Sequence, residues 1–130
     1  MPCAVGTLTI TSYDEDTWED LAGGGKLARV SVRQALPGDV TGEGCVEWLV
    51  RYLDDGSAKF VGLQRISGSV AGRSGNFVVS ALGVFDGNLA EGTWTVLDGL
   101  ATDELAGMSG AGHFYVFGMD AAFDLAYDLE

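Results

Sequence analysis

Apolar and polar residues alternate with a period of two along most of this chain, a pattern that suits strands and not helices. Thr7-Leu8-Thr9-Ile10-Thr11 interleaves β-branched polar and apolar residues as a half-buried strand does. From Lys26 to Leu36, Ala28, Val30 and Val32 stand opposite Arg29, Ser31 and Arg33. Comparable runs follow at Glu43 to Leu53, Ala58 to Val70, Asn76 to Phe85 and Ala90 to Leu97. The chain closes on Phe123, Leu125, Tyr127 and Leu129, with acids or Ala between them. No stripe spaced i, i+3, i+4 persists for three turns. The helical candidates are short: Asp14 to Leu21, and a turn after Thr102, whose hydroxyl is placed to cap Asp103-Glu104. An all-β chain is predicted.

Turn signals stand between the runs. Asp55-Gly56 and Gly87-Asn88 suit two-residue hairpin loops, which need residues that tolerate positive φ. Gly72-Arg73-Ser74-Gly75 reads as a slightly longer hairpin loop, and Leu36-Pro37-Gly38-Asp39 as a turn in which Pro pre-sets φ. Each strand therefore pairs with its neighbour in an antiparallel up-and-down meander of seven or eight strands. Closing so many long strands into a barrel removes the sticky edges of an open sheet. Glycine supplies 20 of 130 residues, roughly twice its usual share. Those within runs (Gly62, Gly83, Gly92, Gly107, Gly110, Gly112) suit bending at barrel corners. An immunoglobulin-like sandwich is the rival, and it would use shorter strands.

Loop lengths set the register. A two-residue loop at Asp55-Gly56 pairs Trp48 with Leu63, Val50 with Val61 and Val46 with Arg65, placing Trp48, Tyr52 and Arg65 on one face. A Gly87-Asn88 loop pairs Ala81 with Trp94 and Val79 with Val96. The expected inward set is Trp48, Tyr52, Trp94 and the row Phe123, Leu125, Tyr127. A slip of one residue reverses any such assignment, sending Arg65 to water and making Glu47, Arg51 and Gln64 the polar lining.

Residues 1–130 are expected to form one domain, long enough to bury a substantial core. With 7 basic and 19 acidic side chains the formal net charge is 7 − 19 = −12. Nucleic acid and anionic membrane surfaces both call for basic clusters, so neither is expected as a partner. The start, Met1-Pro2-Cys3-Ala4-Val5-Gly6, lacks the basic and apolar regions of a signal peptide, and no run reaches the length of a membrane span. A cytoplasmic protein is expected. Cys3 and Cys45 have no metal-ligand spacing and are expected to be free thiols, with Cys45 a small buried hydrophobe.

A set of segments in fixed order supports a family resemblance. They are Gly6-Thr7-Leu8-Thr9-Ile10-Thr11-Ser12-Tyr13, Phe60-Val61-Gly62-Leu63-Gln64-Arg65, Gly72-Arg73-Ser74-Gly75-Asn76-Phe77-Val78, Phe85-Asp86-Gly87, Gly92-Thr93-Trp94, Glu104-Leu105-Ala106-Gly107-Met108 and Tyr127-Asp128-Leu129-Glu130. In this order, over nearly the whole chain, the sequence resembles the bacterial family numbered 3224 among domains of unknown function. The resemblance implies an eight-stranded antiparallel barrel with a central cavity, of the allene oxide cyclase-like kind. That superfamily includes plant allene oxide cyclase and bacterial cyclases of polyketide biosynthesis, and it lends function only by analogy. Where relatives carry Glu this chain has Gln64, and where they carry a bulkier polar pair it has Ser80-Ala81. If those positions line the cavity, this barrel has lost a carboxylate and gained room.

Candidate chemistry is sparse. His113 is the sole histidine, so a His-based metal site is excluded; it reads as a rim residue or, alternatively, as a ligand contact or general base. The acidic run Asp14 to Asp20 has Trp18 at a ligand position of a calcium loop and lacks that loop's glycine, so it reads as a solvated loop. Gly23-Gly24-Gly25 precedes a strand and reads as a hinge or lid at the barrel mouth, not as a phosphate cradle. No metal or cofactor is expected. The candidate ligand-binding residues are Trp48, Tyr52, Arg65, Trp94, His113 and Tyr127. Aromatic walls with one Arg would suit an apolar ligand carrying a carboxylate or an enolic oxygen.

Three functional readings compete. The first is a barrel that binds a small, largely apolar ligand. The second is a cofactor-free cyclase or isomerase with Arg65 or Tyr52 polarising a carbonyl. The third is an oligomeric barrel with a filled core and no small-molecule role. A continuous cavity of about 300 Å³ or more favours the first two. Self-association into a homo-oligomer is expected in any case, because small barrels pack faces together to cover leftover apolar surface.

Overall fold

In a computed structural model that describes residues 2–129, the alternating runs become β-strands. Met1 and Glu130, the ends of the terminal segments quoted above, lie outside the described residues. The strands are β1 (Cys3–Asp20), β2 (Lys26–Leu36), β3 (Val40–Tyr52), β4 (Ala58–Val70), β5 (Arg73–Phe85), β6 (Ala90–Val96), β7 (Ser109–Phe117) and β8 (Asp120–Asp128). Each pairs antiparallel with the next, and β8 returns to β1, closing an eight-stranded barrel. Closure joins the first and last strands, and the second half of β1, from Thr11 to Asp20, pairs on one side, with β2 alone.

The expected helix or loop at Asp14–Asp20 is instead the second half of β1, paired with β2 from Asp14↔Ser31 to Asp20↔Lys26. An acidic run carries no hydrophobic alternation to announce a strand, and here the pairing comes from β2. The register shifts between Ile10 and Ser12 and again between Thr17 and Glu19. The first shift is a bulge that changes which parity faces inward. Leu8 and Ile10 line the interior before it, and Tyr13 lines it after.

The β5–β6 hairpin has the expected register, Ala81↔Trp94 and Val79↔Val96. The β3–β4 hairpin does not. Tyr52 pairs with Ala58, so the loop spans residues 53–57, and Trp48 faces Gly62 while Cys45 faces Arg65. The loop is closed by Leu53 N–H donating to Ser57 O at 2.8 Å and by Ser57 N–H donating to the Asp55 carboxylate at 2.9 Å. This slip of one residue turns Phe60, Gln64 and Ile66 inward and sends Val61, Leu63 and Arg65 outward. Cys45 is exposed, contrary to the buried hydrophobe expected, because it shares the outer parity of β3 with Glu47 and Leu49. The loop expected at Gly72 to Gly75 is a tighter Ala71-Gly72 turn, with Val70↔Arg73 already paired.

Interior glycines seat aromatic rings. Gly62 faces Trp48, Gly83 faces Phe60, Gly92 faces Phe114 and Gly6 faces Phe123 across adjacent strands. A Cβ on Gly83 or Gly92 would stand 2.6 Å from the Phe60 or Phe114 ring respectively. Gly107, expected within a strand, lies in the connection that follows a 3-10 turn at Asp103–Leu105.

The two ends of the barrel differ. At the end holding the Pro37 and Ala71 turns, Leu105 and Met108 from the β6–β7 connection are buried with Phe77, Val79, Leu125 and Tyr127. That connection is fastened by Thr102 N–H to Asn76 O at 2.9 Å and by Asn76 N–H to Thr102 Oγ1 at 3.1 Å. Contrary to the cap expected of it, the Thr102 hydroxyl makes no capping bond to the turn and donates instead to the Asp103 carboxylate at 3.1 Å. We call this packed end the floor side. The other end, holding the Asp55, Gly87 and Gly118 turns, is the mouth.

A candidate ligand cavity at the barrel mouth

Above the packed floor the interior is open. A cavity of about 210 Å³ descends from the mouth, lined by residues of all eight strands. Its walls are aromatic because inward parity on four strands delivers large rings. Trp48 meets Phe60 edge-on with centroids 4.7 Å apart, and Phe114 lies 5.8 Å from both Trp48 and Trp94. The indole N–H of Trp94 is buried and has no hydrogen-bond partner among the described residues.

Two polar groups interrupt the apolar wall. At the mouth, Tyr52 donates to Glu15 Oε1 at 2.5 Å and Tyr13 donates to the same oxygen at 3.3 Å. Lys26 Nζ donates to Glu15 Oε2 at 3.3 Å and stands 5.0 Å from the centroid of the Tyr52 ring. Hydrogen bonding from Tyr52, with help from Lys26, holds the Glu15 carboxyl below its ordinary range despite partial burial. Burial and the bond to Glu15 push the Tyr52 phenol well above its usual value, and burial together with the Glu15 charge raises Tyr13. Deeper in the cavity, Gln64 is 1% exposed and donates its amide N–H to the Gln34 carbonyl.

Three of the expected ligand-binding residues, Trp48, Tyr52 and Trp94, line this cavity. Tyr127 faces inward but is packed into the floor. Arg65 and His113 do not reach the interior. Arg65 is on the outer face beside Cys45, with Arg33 on the far side of that thiol. His113 is exposed, and its Nδ1 lies 3.4 Å from the Asp124 carboxylate. The Gly23-Gly24-Gly25 segment is a hydrogen-bonded turn, with Leu21 N–H donating to Gly25 O at 2.7 Å. Among the described residues no three His, Cys, Asp or Glu side chains converge as a metal site.

The residues missed from sequence are Gln34, Tyr13 and Glu15. Gln34 continues the inward parity of Ala28, Val30 and Val32, so its position was available from the alternation alone. Gln64, turned outward by the expected register, was reached only through the family resemblance and the reversed register, and Tyr13 and Glu15 depend on a bulge that no residue pattern announces.

The fold and site thus define a small, closed, antiparallel β-barrel, packed at one end and hollow at the other. The family model described as "Protein of unknown function (DUF3224)" matches residues 4–127, and the chain belongs to that family. A crystal structure of a protein of unknown function from the same family, from Shewanella oneidensis MR-1, superposes with a TM-score of 0.80 at 20% identity. The match covers 100% of this chain and 98% of that one, and it shows a shared fold. No curated protein matches the chain. No helix among the described residues is long and apolar enough to cross a membrane.

Proposed function

We propose that this barrel binds a small, largely apolar molecule in the cavity at its mouth. The observation that carries the reading is a cavity of about 210 Å³, aromatic-walled, in a barrel whose other end is fully packed. A core built only for stability would close such a space, since each unfilled volume costs contacts. The volume is below the 300 Å³ expected of a site for drug-sized ligands, so the occupant is smaller. An engineered cavity of about 150 Å³ already holds benzene.

Binding is favoured over cyclase chemistry by the fate of the two groups that would polarise a carbonyl. Arg65 lies outside the barrel, and the Tyr52 hydroxyl is engaged by Glu15. Two exposed, unpaired thiols suit a reducing, cytoplasmic setting. The acidic surface suits neither nucleic acid nor an anionic membrane as partner.

Small aromatic probes titrated into isotopically labelled protein test the reading. The indole N–H signals of Trp48 and Trp94 are expected to shift saturably, and Ala58→Phe, which fills the mouth, to abolish the shift. No saturable shift with any probe, or shifts unaffected by a folded Ala58→Phe variant, would overturn it.

A further inference from the structure

The lining of the cavity is uncharged. Among the described residues in its wall there is no Lys, Arg, Asp or Glu. The charged groups bonded to the mouth tyrosine Tyr52 or stacked on its ring, Glu15 and Lys26, are paired to each other. A carboxylate entering the barrel would pass the Glu15 oxygens and then find no cation within. An ion buried without a partner is costly. The arginine expected to receive such a group, Arg65, is on the other side of the sheet.

What the interior offers is a neutral amide pair. Gln64 is 1% and Gln34 8% exposed, and one hydrogen bond joins them. A primary amide has two N–H donors and a carbonyl with two acceptor sites. One bond between two amides therefore leaves N–H groups and a carbonyl uncommitted, whichever way each amide is turned. These atoms are not sealed into the wall without a partner, as the Trp94 indole N–H is; they belong to residues that line the cavity, where a bound molecule can pair them. Both line the cavity, facing the same space as Trp48, Phe60 and Phe114. A partner for them must both donate and accept, be uncharged, and carry a planar body thin enough for walls of stacked and edge-on rings.

Resting on the ligand-binding reading above, we propose that the site selects a neutral, planar compound of one or two rings, whose hydroxyl, lactam or amide group binds the Gln34–Gln64 pair, and that it rejects carboxylates.

Three probes with one skeleton test this: 2-naphthol, naphthalene and 2-naphthoate, titrated at neutral pH into wild type and Gln64→Leu and read at the Trp48 and Trp94 indole signals. In wild type, 2-naphthol is expected to bind about fivefold more tightly than naphthalene, the worth of one neutral hydrogen bond. 2-Naphthoate is expected to bind at least about a hundredfold more weakly than 2-naphthol. Gln64→Leu is expected to retain naphthalene and erase the advantage of 2-naphthol. Naphthoate binding as tightly as naphthol overturns the charge selection on wild type alone, whatever the variant does. An unchanged naphthol-to-naphthalene ratio in a folded Gln64→Leu variant overturns the role of the amide pair. Failure of all three probes instead overturns the ligand-binding reading and this proposal with it.

Discussion

Gly83 shows how a single missing methyl group shapes the cavity. It faces Phe60 across the β4–β5 pair, and a Cβ there would meet the Phe60 ring and the Glu91 carbonyl oxygen, each at 2.6 Å. Gly83→Ala must therefore move a ring and strain a backbone contact. A destabilisation of about 1–3 kcal/mol is expected, the cost of overpacking a well-packed site. The displaced Phe60 ring is expected to swing and change probe affinity as well. Urea denaturation and the same probe titrations check both outcomes. Gly87→Ala, in the β5–β6 turn with φ at 102° and no atom within 4 Å, is the contrasting case. It should lower stability through backbone strain and leave probe affinity unchanged.

At the scale of elements, β1 brings the polar mouth together, and its bulge is what aims Tyr13 and Glu15 at Tyr52. Glu15 titrates below its ordinary value of 4.5, so its contribution to stability is complete above that pH and is lost as pH falls through the lowered folded value. Tyr52 titrates above its ordinary value of 10.0, so its contribution is complete below that pH and is lost as pH rises. The stability difference between wild type and Glu15→Gln is therefore expected to shrink at acid pH. The difference between wild type and Tyr52→Phe is expected to shrink on the alkaline side, where tyrosinate absorbance tracks the phenol. Urea midpoints measured against pH for the three proteins test this; parallel profiles would remove Glu15 from its place at the centre of the mouth.

The same strands explain how much was legible from sequence. β2 and β4 have the predicted bounds because alternation and flanking turns agree at both ends, and the β5–β6 register follows from small residues opposite Trp94. The β3–β4 register was not legible, because Val61 and Leu63 on one face of β4 are as apolar as Phe60 and Ile66 on the other. Only the geometry of the loop at 53–57 decides between them. That ambiguity carried Arg65 to the wrong side and left Gln64 only a conditional member of the lining, so the aromatic wall of the site was more readable than its polar interior.

For the molecule as a whole, the same ambiguity has a structural consequence: the barrel is apolar outside as well as inside. Leu49, Val61, Leu63, Leu82 and Val84 are 45–62% exposed on neighbouring strands β3–β5, and all of them but Leu63 line a concave outer groove. Arg51 and Lys59 face each other across one flank of this surface, and Glu91 stands opposite Val84 on the other. None of the three charged groups is in an ion pair among the described residues. In a chain of net charge −12, two facing cations beside an apolar strip are a local exception that invites an acidic partner. A second copy supplies one. With a two-fold axis running along the apolar strip, the Arg51–Lys59 flank of each subunit would face Glu91 of the other and both strips would be covered, as an isologous interface requires. We therefore propose a homodimer through this face, and expect light scattering and sedimentation to give twice the chain mass at micromolar concentration. Leu82→Glu should yield a folded monomer that still binds probes, because the cavity opens at the barrel's mouth and not through its outer wall. Arg51→Glu should weaken the dimer, and adding Glu91→Arg should restore it in part. A monomeric wild type across the micromolar range would overturn the dimer.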